Sequence, residues 1–535
     1  MTFGQQNPED KPGRHRPTAD WRLPSASSVA RGTITGIVTA LVALGAAEIM
    51  AALLGSQLGA PIDAVGKLSI DDSPGPIKEW AIREFGAHDK MVLVWGIRGV
   101  LLIFAAVIGL LALRKLWYGV AGLAVFTVIG VYAALRQPSA SASDAVPTLI
   151  GGAVAALVLY YLRQVAVQPG PAPGPAPAIG PPGSATRPPG LSPGKPAAPG
   201  DTSPHDWVPA EPLAARPAPD RPQAPNPVPR RNFLLVSGVA AGASLLAYGG
   251  GTLLAESRNV SSAQRALRLP RPASPAPPLP ADANLNIPGL TSFITPNSKF
   301  YRVDTALVLP EIDPSNWSLR IHGMVSKELV LSFEDLLKRP LIEDYVTLCC
   351  VSNPVGGPFI SNAKWLGASL GTLLQEAGIK SGADQLFCRS SDGFTSGTPV
   401  QTAMDGRDAM LAVAMNNAAL PVAHGFPVRL VIPGLYGYVS ACKWIVDIEV
   451  TTYAANTSYW AQRGWSQQAP IKTECRIDVP TGLADLNPGK ITVAGVAWAQ
   501  HKGIEAVEVR VDYGAWHQAR LAAVPGIDTW QQWSW

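Results

Sequence analysis

Five apolar runs constrain the fold of this 535-residue chain more than any other feature of its sequence. The first four lie near residues 33–55, 91–113, 116–135 and 146–162. A helix needs about 20 consecutive apolar residues to span a bilayer, so the first two runs are long enough and the third is close. The fourth is short enough to lie at the membrane interface instead. The sequence therefore predicts about four transmembrane helices within residues 32–167, and only 15% of all residues are charged, which agrees with membrane insertion.

Positively charged flanks predict the topology of these helices. Arg114 and Lys115 lie between the second and third runs, and short loops rich in Lys and Arg stay in the cytoplasm. The polar tail at residues 1–31 is then cytoplasmic as well. The acidic loop between the first two runs, with Asp71 and Asp72, is then on the outer side.

A change of composition separates the two halves of the chain. Residues 168–229 are rich in Pro, Ala and Gly with almost no large apolar side chains, so we expect a semi-extended linker. At Arg230-Arg231 the fifth apolar run begins, and residues 230–256 fit either a fifth membrane helix or a twin-arginine-like export signal. Both alternatives place everything after this run outside the cytoplasm. A Pro-rich spacer is predicted at residues 257–283.

The second half of the chain contains a paired-cysteine motif. Short strands and helices alternate over residues 284–455, which indicates a mixed α+β domain. A β-type run there ends at Thr347-Leu348-Cys349-Cys350 and is followed by turn residues. A thiol is thereby placed where a strand meets a loop, and thiolates are soft ligands for metals that prefer sulfur. Taken alone, such cysteines are more often small buried hydrophobes.

Three further segments accompany this motif: Ile-Thr-Pro-Asn ending at Asn297, His-Gly-Phe-Pro-Val-Arg ending at Arg429, and Lys443-Trp444. Together the four segments resemble the molybdenum-cofactor domain of the sulfite oxidase family, and the chain is identified as a membrane-anchored bacterial member of that superfamily. The resemblance implies a molybdenum–molybdopterin cofactor, with Cys350 rather than Cys349 as the ligand of the metal. The residues that it implies for binding the cofactor are Cys350, Asn297, His424, Arg429, Gly437, Ser440 and Lys443.

These residue types suit a phosphate-bearing cofactor. Arginine binds phosphate in a bidentate manner and lysine acts as a point charge. One protein thiolate is enough because the pterin of the family supplies the other sulfur ligands. The chain holds one residue more than the family pattern between Gly434 and Lys443, which makes the contacts from Gly437 and Ser440 the least secure.

The substrate side departs from the family pattern. The arginine-containing segment that follows the ligand cysteine in sulfite oxidases is replaced by residues 351–355, Val-Ser-Asn-Pro-Val. A second anion-binding arginine falls at or near Val303, with Arg302 adjacent. Losing two cations removes charge-assisted hydrogen bonds of about 1.5–3 kcal/mol each, so we expect sulfite to be a poor substrate. The active-site tyrosine of the family falls on Phe394. The candidate catalytic residues are Cys350, Asp392 and Phe394, with Arg389 as a further polar candidate for the pocket.

The last part of the chain changes to an all-β pattern. Residues 473–535 resemble the immunoglobulin-like dimerisation domain that follows the cofactor domain in sulfite oxidases, which implies a possible homodimer. The chain stops at Trp535 within an apolar strand, and a sandwich that ends there would have an unpaired edge. We therefore expect the sequence to be truncated.

The implied reaction is a two-electron oxygen-atom transfer, whose electrons need an outlet. None of the seven histidines lies within an apolar run, so we expect no haem in this chain and a separate electron-transfer partner, either a haem protein or a quinone-linked subunit. No concentrated basic stripe suggests nucleic acid. An alternative is a cofactor-free surface binding protein that retains the fold. A transporter is disfavoured because Glu48 and Arg98 are the only obvious charges within the spans.

Overall fold

The computed structural model describes residues 26–54, 60–85, 89–137, 140–167, 230–257 and 261–535. The predicted linker and most of the predicted N-terminal tail lie outside these residues. Residues 261–472 are called the catalytic half after their predicted function. Within the described part, seven α-helices precede it, and five of them are long and apolar enough to cross a membrane. The seven are α1 Ala26–Leu54, α2 Pro61–Asp72, α3 Gly75–Phe85, α4 Asp89–Arg114, α5 Leu116–Leu135, α6 Val146–Val167 and α7 Arg230–Ser257.

The helix bounds correct two expectations from the sequence. The fourth apolar run lies within α6, which has 22 residues, so its length no longer favours an interfacial placement. Helix α1 begins at Ala26, so the end of the predicted tail is helical. Small residues let α1 and α4 approach closely: a Cβ on Gly36 would lie 1.8 Å from the carbonyl oxygen of Ala105. Such small-residue contacts are typical of helix packing in membranes.

The catalytic half is α+β, as predicted, and is built on two five-stranded sheets. One has the order β2-β1-β10-β5-β6, and the other has the order β3-β4-β7-β8 with β9 paired to β7. Strand β7 is buried throughout, and Trp365 and Trp444 fill the interior between the elements. The strands are β1 Ser318–Gly323, β2 Leu329–Ser332, β3 Leu341–Cys349, β4 Ile360–Ser369, β5 Gln385–Ser390, β6 Thr395–Pro399, β7 Met410–Met415, β8 Ala418–Ala419, β9 Arg429–Val431 and β10 Ile445–Thr451.

Short helices precede or connect these strands, and local capping explains where two of the helices begin. The helices are α8 Ser261–Ala266, α9 Phe333–Leu337, α10 Leu370–Ala377, α11 Val400–Ala403 and α12 Gly437–Ser440. Ser332 caps α9 and exchanges hydrogen bonds with Asp335, which is a capping box. Ser369 caps α10, and Gly378 ends it in a left-handed conformation.

The predicted Pro-rich spacer is not free chain where the structure describes it. The backbone N–H of Ala273 donates to the carbonyl of Leu341 at 2.8 Å, and that of Glu343 donates to Ser274 at 2.8 Å. The side chain of Gln264 also donates to the carbonyl of Leu420. The segment therefore docks along the edge of β3, because its backbone supplies the partners that this edge strand lacks.

The C-terminal part is all-β, as predicted, with a four-stranded antiparallel sheet ordered β11-β12-β16-β15 and a separate β13–β14 ribbon. The last strand, β16, pairs with strands on both sides, so the expectation of an unpaired terminal edge is wrong. The order of the strands in the sheet cannot be read from the sequence. It removes the unpaired edge as an argument for truncation. The strands are β11 Glu474–Val479, β12 Ala494–Trp498, β13 Glu508–Val509, β14 His517–Gln518, β15 Arg520–Leu521 and β16 Gln531–Ser534.

This C-terminal part contacts the cysteine-bearing strand directly. The hydroxyl of Thr347 accepts the backbone N–H of Trp530 at 2.8 Å, and the N–H of Thr347 donates to the carbonyl of Asp528 at 2.9 Å. The side chain of Gln500 donates to the carbonyl of Thr347 at 3.1 Å. Strand β3 is thereby fixed three residues before Cys350.

The catalytic half also contacts the segment between α1 and α4. Lys78 on α3 donates to the hydroxyl of Tyr459 at 2.7 Å, and Arg463 donates to the carbonyl of Asp71 at 2.9 Å. A Cβ on Gly66 of α2 would lie 2.5 Å from Cδ2 of Leu307. The catalytic half therefore packs on the end of the helix bundle that carries α2 and α3, opposite to the turn at Arg114 and Lys115.

Candidate functional site

The two cysteines of the motif have different environments because they fall at the end of a strand. Cys349 is the last residue of β3 and is fully buried in the core, where burial raises the pKa of its thiol far above the usual range. Cys350 is half-buried and begins the turn, and its carbonyl accepts the N–H of Asn353 at 3.0 Å. Burial raises the pKa of Cys350, and hydrogen bonds from Ser352 oppose that shift. Of the two residues, Cys350 is the less buried, and it is the candidate ligand.

Arg429 is a buried cation with no carboxylate in salt-bridge range among the described residues. It lies on β9 with 5% of its surface exposed, and its guanidinium donates to the carbonyls of His424 at 3.1 Å and Ala441 at 3.3 Å. It also lies over the ring of Trp365, 5.1 Å from the ring centre. Burial lowers the pKa of Arg429 to about 10, so it remains charged near neutral pH. A buried charge without a counterion is costly, so Arg429 is a candidate for binding an anion.

His424 is buried beside Arg429, in a helical turn that ends at Gly425. Burial lowers the pKa of His424 to about 4, and Arg429 and Lys443 contribute in the same direction. The ring is therefore neutral near pH 7. Because its Nε2 faces the carbonyl of Asn297 at 3.2 Å, Nε2 carries the proton and Nδ1 is the acceptor. The side chain of Asn297 is itself fixed by Asn416, whose amide donates to its Oδ1 at 2.7 Å.

Lys443 completes the cation cluster, here defined as Arg429, Lys443 and the neutral His424. It is 9% exposed, its Nζ lies 2.6 Å from Oδ2 of Asp304, and it donates to the carbonyl of Ala423 at 3.2 Å. Burial lowers the pKa of Lys443 to about 8, against the opposing effect of Asp304. Burial alone would raise the pKa of Asp304, but Lys443 and the neighbouring cations hold it well below its usual range.

Gly437 and Ser440 lie at the two ends of α12, close to the cysteines. A Cβ on Gly437 would lie 3.7 Å from the carbonyl oxygen of Cys349 and 3.7 Å from the hydroxyl of Tyr301. Ser440 is fully buried, and its hydroxyl donates to the carbonyls of Leu435 and Tyr436 at 2.9 and 3.1 Å. The Ser440 hydroxyl is thus used within its own turn.

Tyr301 was missed by sequence reasoning. It directly follows Phe300, on which its ring stacks, and its backbone N–H donates to the hydroxyl of Ser361 at 3.2 Å. Burial raises the pKa of Tyr301 well above its usual value, and the two adjacent cysteines add to that shift, so the phenol stays protonated. Its hydroxyl has no hydrogen-bond partner among the described residues. The Phe-Tyr pair shortly after Asn297 was the available signal.

The residues on the predicted substrate side are exposed. Val303 is 45% exposed and Val355 is entirely exposed, in a loop after Cys350 that has no charged side chain between residues 351 and 360. The loop is tied down by Arg476 of the C-terminal part, which donates to the carbonyl of Gly357 at 2.7 Å. Arg302 is held by Asp304, with its Nε 2.8 Å from Oδ2.

Asp392 and Phe394 lie in the turn between β5 and β6. Phe394 packs on Tyr459 with ring centres 5.8 Å apart, and its N–H donates to Oδ1 of Asp392 at 3.1 Å. The other oxygen of Asp392 is buried without a partner among the described residues. Asp392 and Arg389 line a cavity of about 620 Å³ at the boundary with the helix bundle, and the lining of this cavity includes none of Cys350, His424, Arg429 and Lys443.

The cluster fits a phosphate-bearing group with its own metal ligands. The unpaired guanidinium of Arg429 and the ammonium of Lys443 supply positive charge, and His424 and Tyr301 supply neutral hydrogen-bonding groups. Among the described residues, no group of three or more His, Cys, Asp or Glu side chains could hold a metal ion. A metal at Cys350 would therefore need ligands from a bound cofactor, which is what a pterin dithiolene provides.

Comparison with known proteins agrees with this chemistry. The family described as oxidoreductase molybdopterin binding domain matches residues 306–460, which include Cys350 and the whole cation cluster. The sulfite oxidase of Gallus gallus is 31% identical over 290 residues, which are 45% of this chain and 62% of that protein. The uncharacterized oxidoreductase YuiH of Bacillus subtilis (strain 168) is 31% identical over 153 residues, 29% of this chain and 74% of that protein.

The matches leave parts of both chains uncovered. This chain spans less than two thirds of the sulfite oxidases it matches, and only 49% of the mitochondrial enzyme of Mus musculus. Among solved structures, the sulfane dehydrogenase SoxCD from Paracoccus pantotrophus has a TM-score of 0.40 and 24% identity, and the match covers 46% of this chain and 69% of that one. That likeness is too weak to carry an argument about function.

Proposed function

Since this chain belongs to the sulfite oxidase superfamily of molybdopterin-dependent oxidoreductases, we propose that it is a membrane-anchored enzyme that transfers an oxygen atom in a two-electron reaction outside the cytoplasm. The observation that carries this proposal is the buried Arg429, which has no carboxylate partner among the described residues, together with the Cys350 thiol; both act on the pKa of Tyr301, which links them through one side chain. An anion site and an available thiol around one side chain suit a phosphate-bearing metal cofactor.

Each residue of the site has a proposed role toward that cofactor. Cys350 anchors the molybdenum, whose two-electron redox chemistry no side chain can supply. Arg429 and Lys443 bind the phosphate, and neutral His424 adds a hydrogen bond. The missing side chain of Gly437 leaves room beside the cysteines, and Asn297 and Ser440 contribute through their backbone. Tyr301 holds its phenolic proton near Cys350 and replaces the hydrogen-bond donor that the family tyrosine, here Phe394, would supply.

The proposal for the substrate names chemical classes rather than one compound. The exposed, uncharged loop after Cys350 supports a substrate other than sulfite, such as another sulfur or nitrogen oxide species or an oxidised side chain. Asp392 and Phe394 are proposed as outer residues of the pocket. The electrons pass to a separate partner, a haem protein or a quinone-linked subunit, and two copies associate through the C-terminal β part.

The contacts of the catalytic half support its proposed location. It packs against the segment between α1 and α4 and faces the loop between α5 and α6, and both lie opposite to the positive turn at Arg114 and Lys115. A positive turn belongs in the cytoplasm, so the catalytic half belongs outside. An alkaline phosphatase reporter fused after Trp535 should be active. Activity of a cytoplasmic reporter alone at the same position would reject this topology.

Molybdenum and pterin analysis of the purified protein tests the function itself. We expect close to one of each per chain in the wild type. A protein that is folded but contains neither, when produced in a host that makes the cofactor, would favour the rival function of a cofactor-free binding protein.

A further inference from the structure

A chain of ion pairs joins the helix bundle to the cation cluster. Lys90, at the start of α4, has its Nζ 2.5 Å from Oδ1 of Asp304 and 2.7 Å from the carbonyl oxygen of Ala306. The other oxygen of Asp304, Oδ2, lies 2.6 Å from Nζ of Lys443. One carboxylate therefore contacts a lysine of the membrane half and a lysine of the catalytic half through different oxygens.

Burial makes these contacts electrostatically strong. The side chains of Asp304, Lys443 and Lys90 are 4%, 9% and 26% exposed, whereas Arg302, the third cation on Asp304, is 40% exposed. Charges interact more strongly where water is excluded, so Lys90 and Lys443 dominate the environment of this carboxylate. Together, Lys90, Lys443 and Arg302 outnumber the single carboxylate of Asp304, so the cluster keeps an excess of positive charge.

We propose that Lys90 is a positioning residue for the anion site, which acts through Asp304 on Lys443, so that the membrane half completes the phosphate-binding site of the catalytic half. The proposal rests on the proposed function for the identity of the phosphate-bearing ligand. Because Lys90 pairs with one oxygen of Asp304, the negative charge of this carboxylate is shared between two lysines and does not fully neutralise Lys443. Without Lys90, Asp304 would keep only Lys443 and the more exposed Arg302 as partners, and the site would have one positive charge fewer for an anion.

A purely mechanical role in docking the two halves is the competing explanation. The chain offers a control in Lys78, which is 9% exposed where the side chain of Lys90 is 26% exposed. Lys78 also bridges the halves, with its Nζ 2.7 Å from the hydroxyl of Tyr459. Lys78 contacts neither Asp304 nor Lys443. If Lys90 only holds the halves together, removing either lysine should have the same effect.

The test uses the full-length protein in detergent, produced without cofactor, and titrates it with inorganic phosphate by calorimetry. We expect Lys90→Met to weaken phosphate binding by about tenfold, since a nearby buried charge is lost. Lys90→Arg should restore binding to near the wild-type value, and Lys78→Met should leave it within about twofold. Equal losses in Lys90→Met and Lys78→Met, no loss in Lys90→Met, or no phosphate binding by the wild type would each overturn the inference.

Molybdenum and pterin content of the same variants, produced with cofactor, separates this inference from the proposed function. A wild type that binds phosphate in a Lys90-dependent way but never contains molybdenum would refute the function and leave the phosphate site standing. A wild type that contains the cofactor, with phosphate binding insensitive to Lys90, would refute the inference alone.

Discussion

The two sides of Cys350 differ in burial and in charge. On one side, Arg429, Lys443 and His424 are all at least nine-tenths buried and hydrogen-bonded to backbone carbonyls or to Asp304. On the other side, the loop after the cysteine is mostly exposed and uncharged. Arg476 contacts this loop at the carbonyl of Gly357, and Arg302 is engaged by Asp304. Groups that are fixed by the core of a domain cannot change without a cost in stability, whereas an exposed loop can. Under the proposed function, the side that would bind the cofactor is therefore costly to change, whereas the side that would meet the substrate tolerates substitution.

The largest expected effect concerns Cys350, the residue between the two sides of this comparison. Cys350→Ser should reduce both the molybdenum content and the activity to background, because the oxygen of serine is a poorer ligand for a soft site. Cys349→Ser should keep the metal and most of the activity per folded molecule. Its cost, about 1–3 kcal/mol, should appear as lower stability, since a hydroxyl replaces a fully buried thiol. Metal analysis and steady-state assays would check both, and the reverse pattern would show that Cys349 is the ligand.

An intermediate effect tests the substrate side. On protein of known molybdenum occupancy, kcat/KM for sulfite should be about 10²- to 10⁴-fold below that of a sulfite oxidase such as the Gallus gallus enzyme, given two missing charge-assisted bonds. Val303→Arg should recover about tenfold of this loss. Val330→Arg is the matched control, since Val330 is an exposed valine on β2.

The sulfite assay has a clear opposite outcome. Turnover and affinity like those of ordinary sulfite oxidases would refute the argument about missing cations. If Arg302→Ala then abolished that activity, Arg302 would be the source of the anion-binding charge, and its pairing with Asp304 would have to break when substrate binds.

The smallest expected effect concerns the cofactor side and its pH dependence. The pKa of His424 lies near 6.5 when unfolded and is lowered to about 4 in the fold, first by burial. Between these values the unfolded chain binds more protons, so the stability of the cofactor-free protein should fall as the pH drops from 6.5 to 4, by up to about 3 kcal/mol. The thermal midpoint should follow this fall in the wild type. His424→Gln should lack that component, and identical pH profiles would contradict the burial argument.

A local pattern in the sequence predicted that Cys350 lies where a strand meets a turn, and β3 ends at Cys349. The cationic residues were predicted only from the resemblance to the sulfite oxidase family. The ion pairs of Asp304 were not predictable in this way, because its partners Lys443 and Lys90 are 139 and 214 positions away in the chain. The prediction of an unpaired edge at β16 was wrong for the same reason, since the order of strands in a sheet is set by contacts between distant segments.

The hydrogen bond between Trp530 and Thr347 has a consequence for how the enzyme folds during its synthesis. The two residues are 183 positions apart, so at about 5–20 residues per second the ribosome needs roughly 10–40 s to make the second after the first. During that interval the cysteine-bearing strand can pair with β4 but lacks its contacts with the C-terminal part. The cysteine-bearing strand is therefore expected to reach its final geometry only after the C-terminal part has been synthesised.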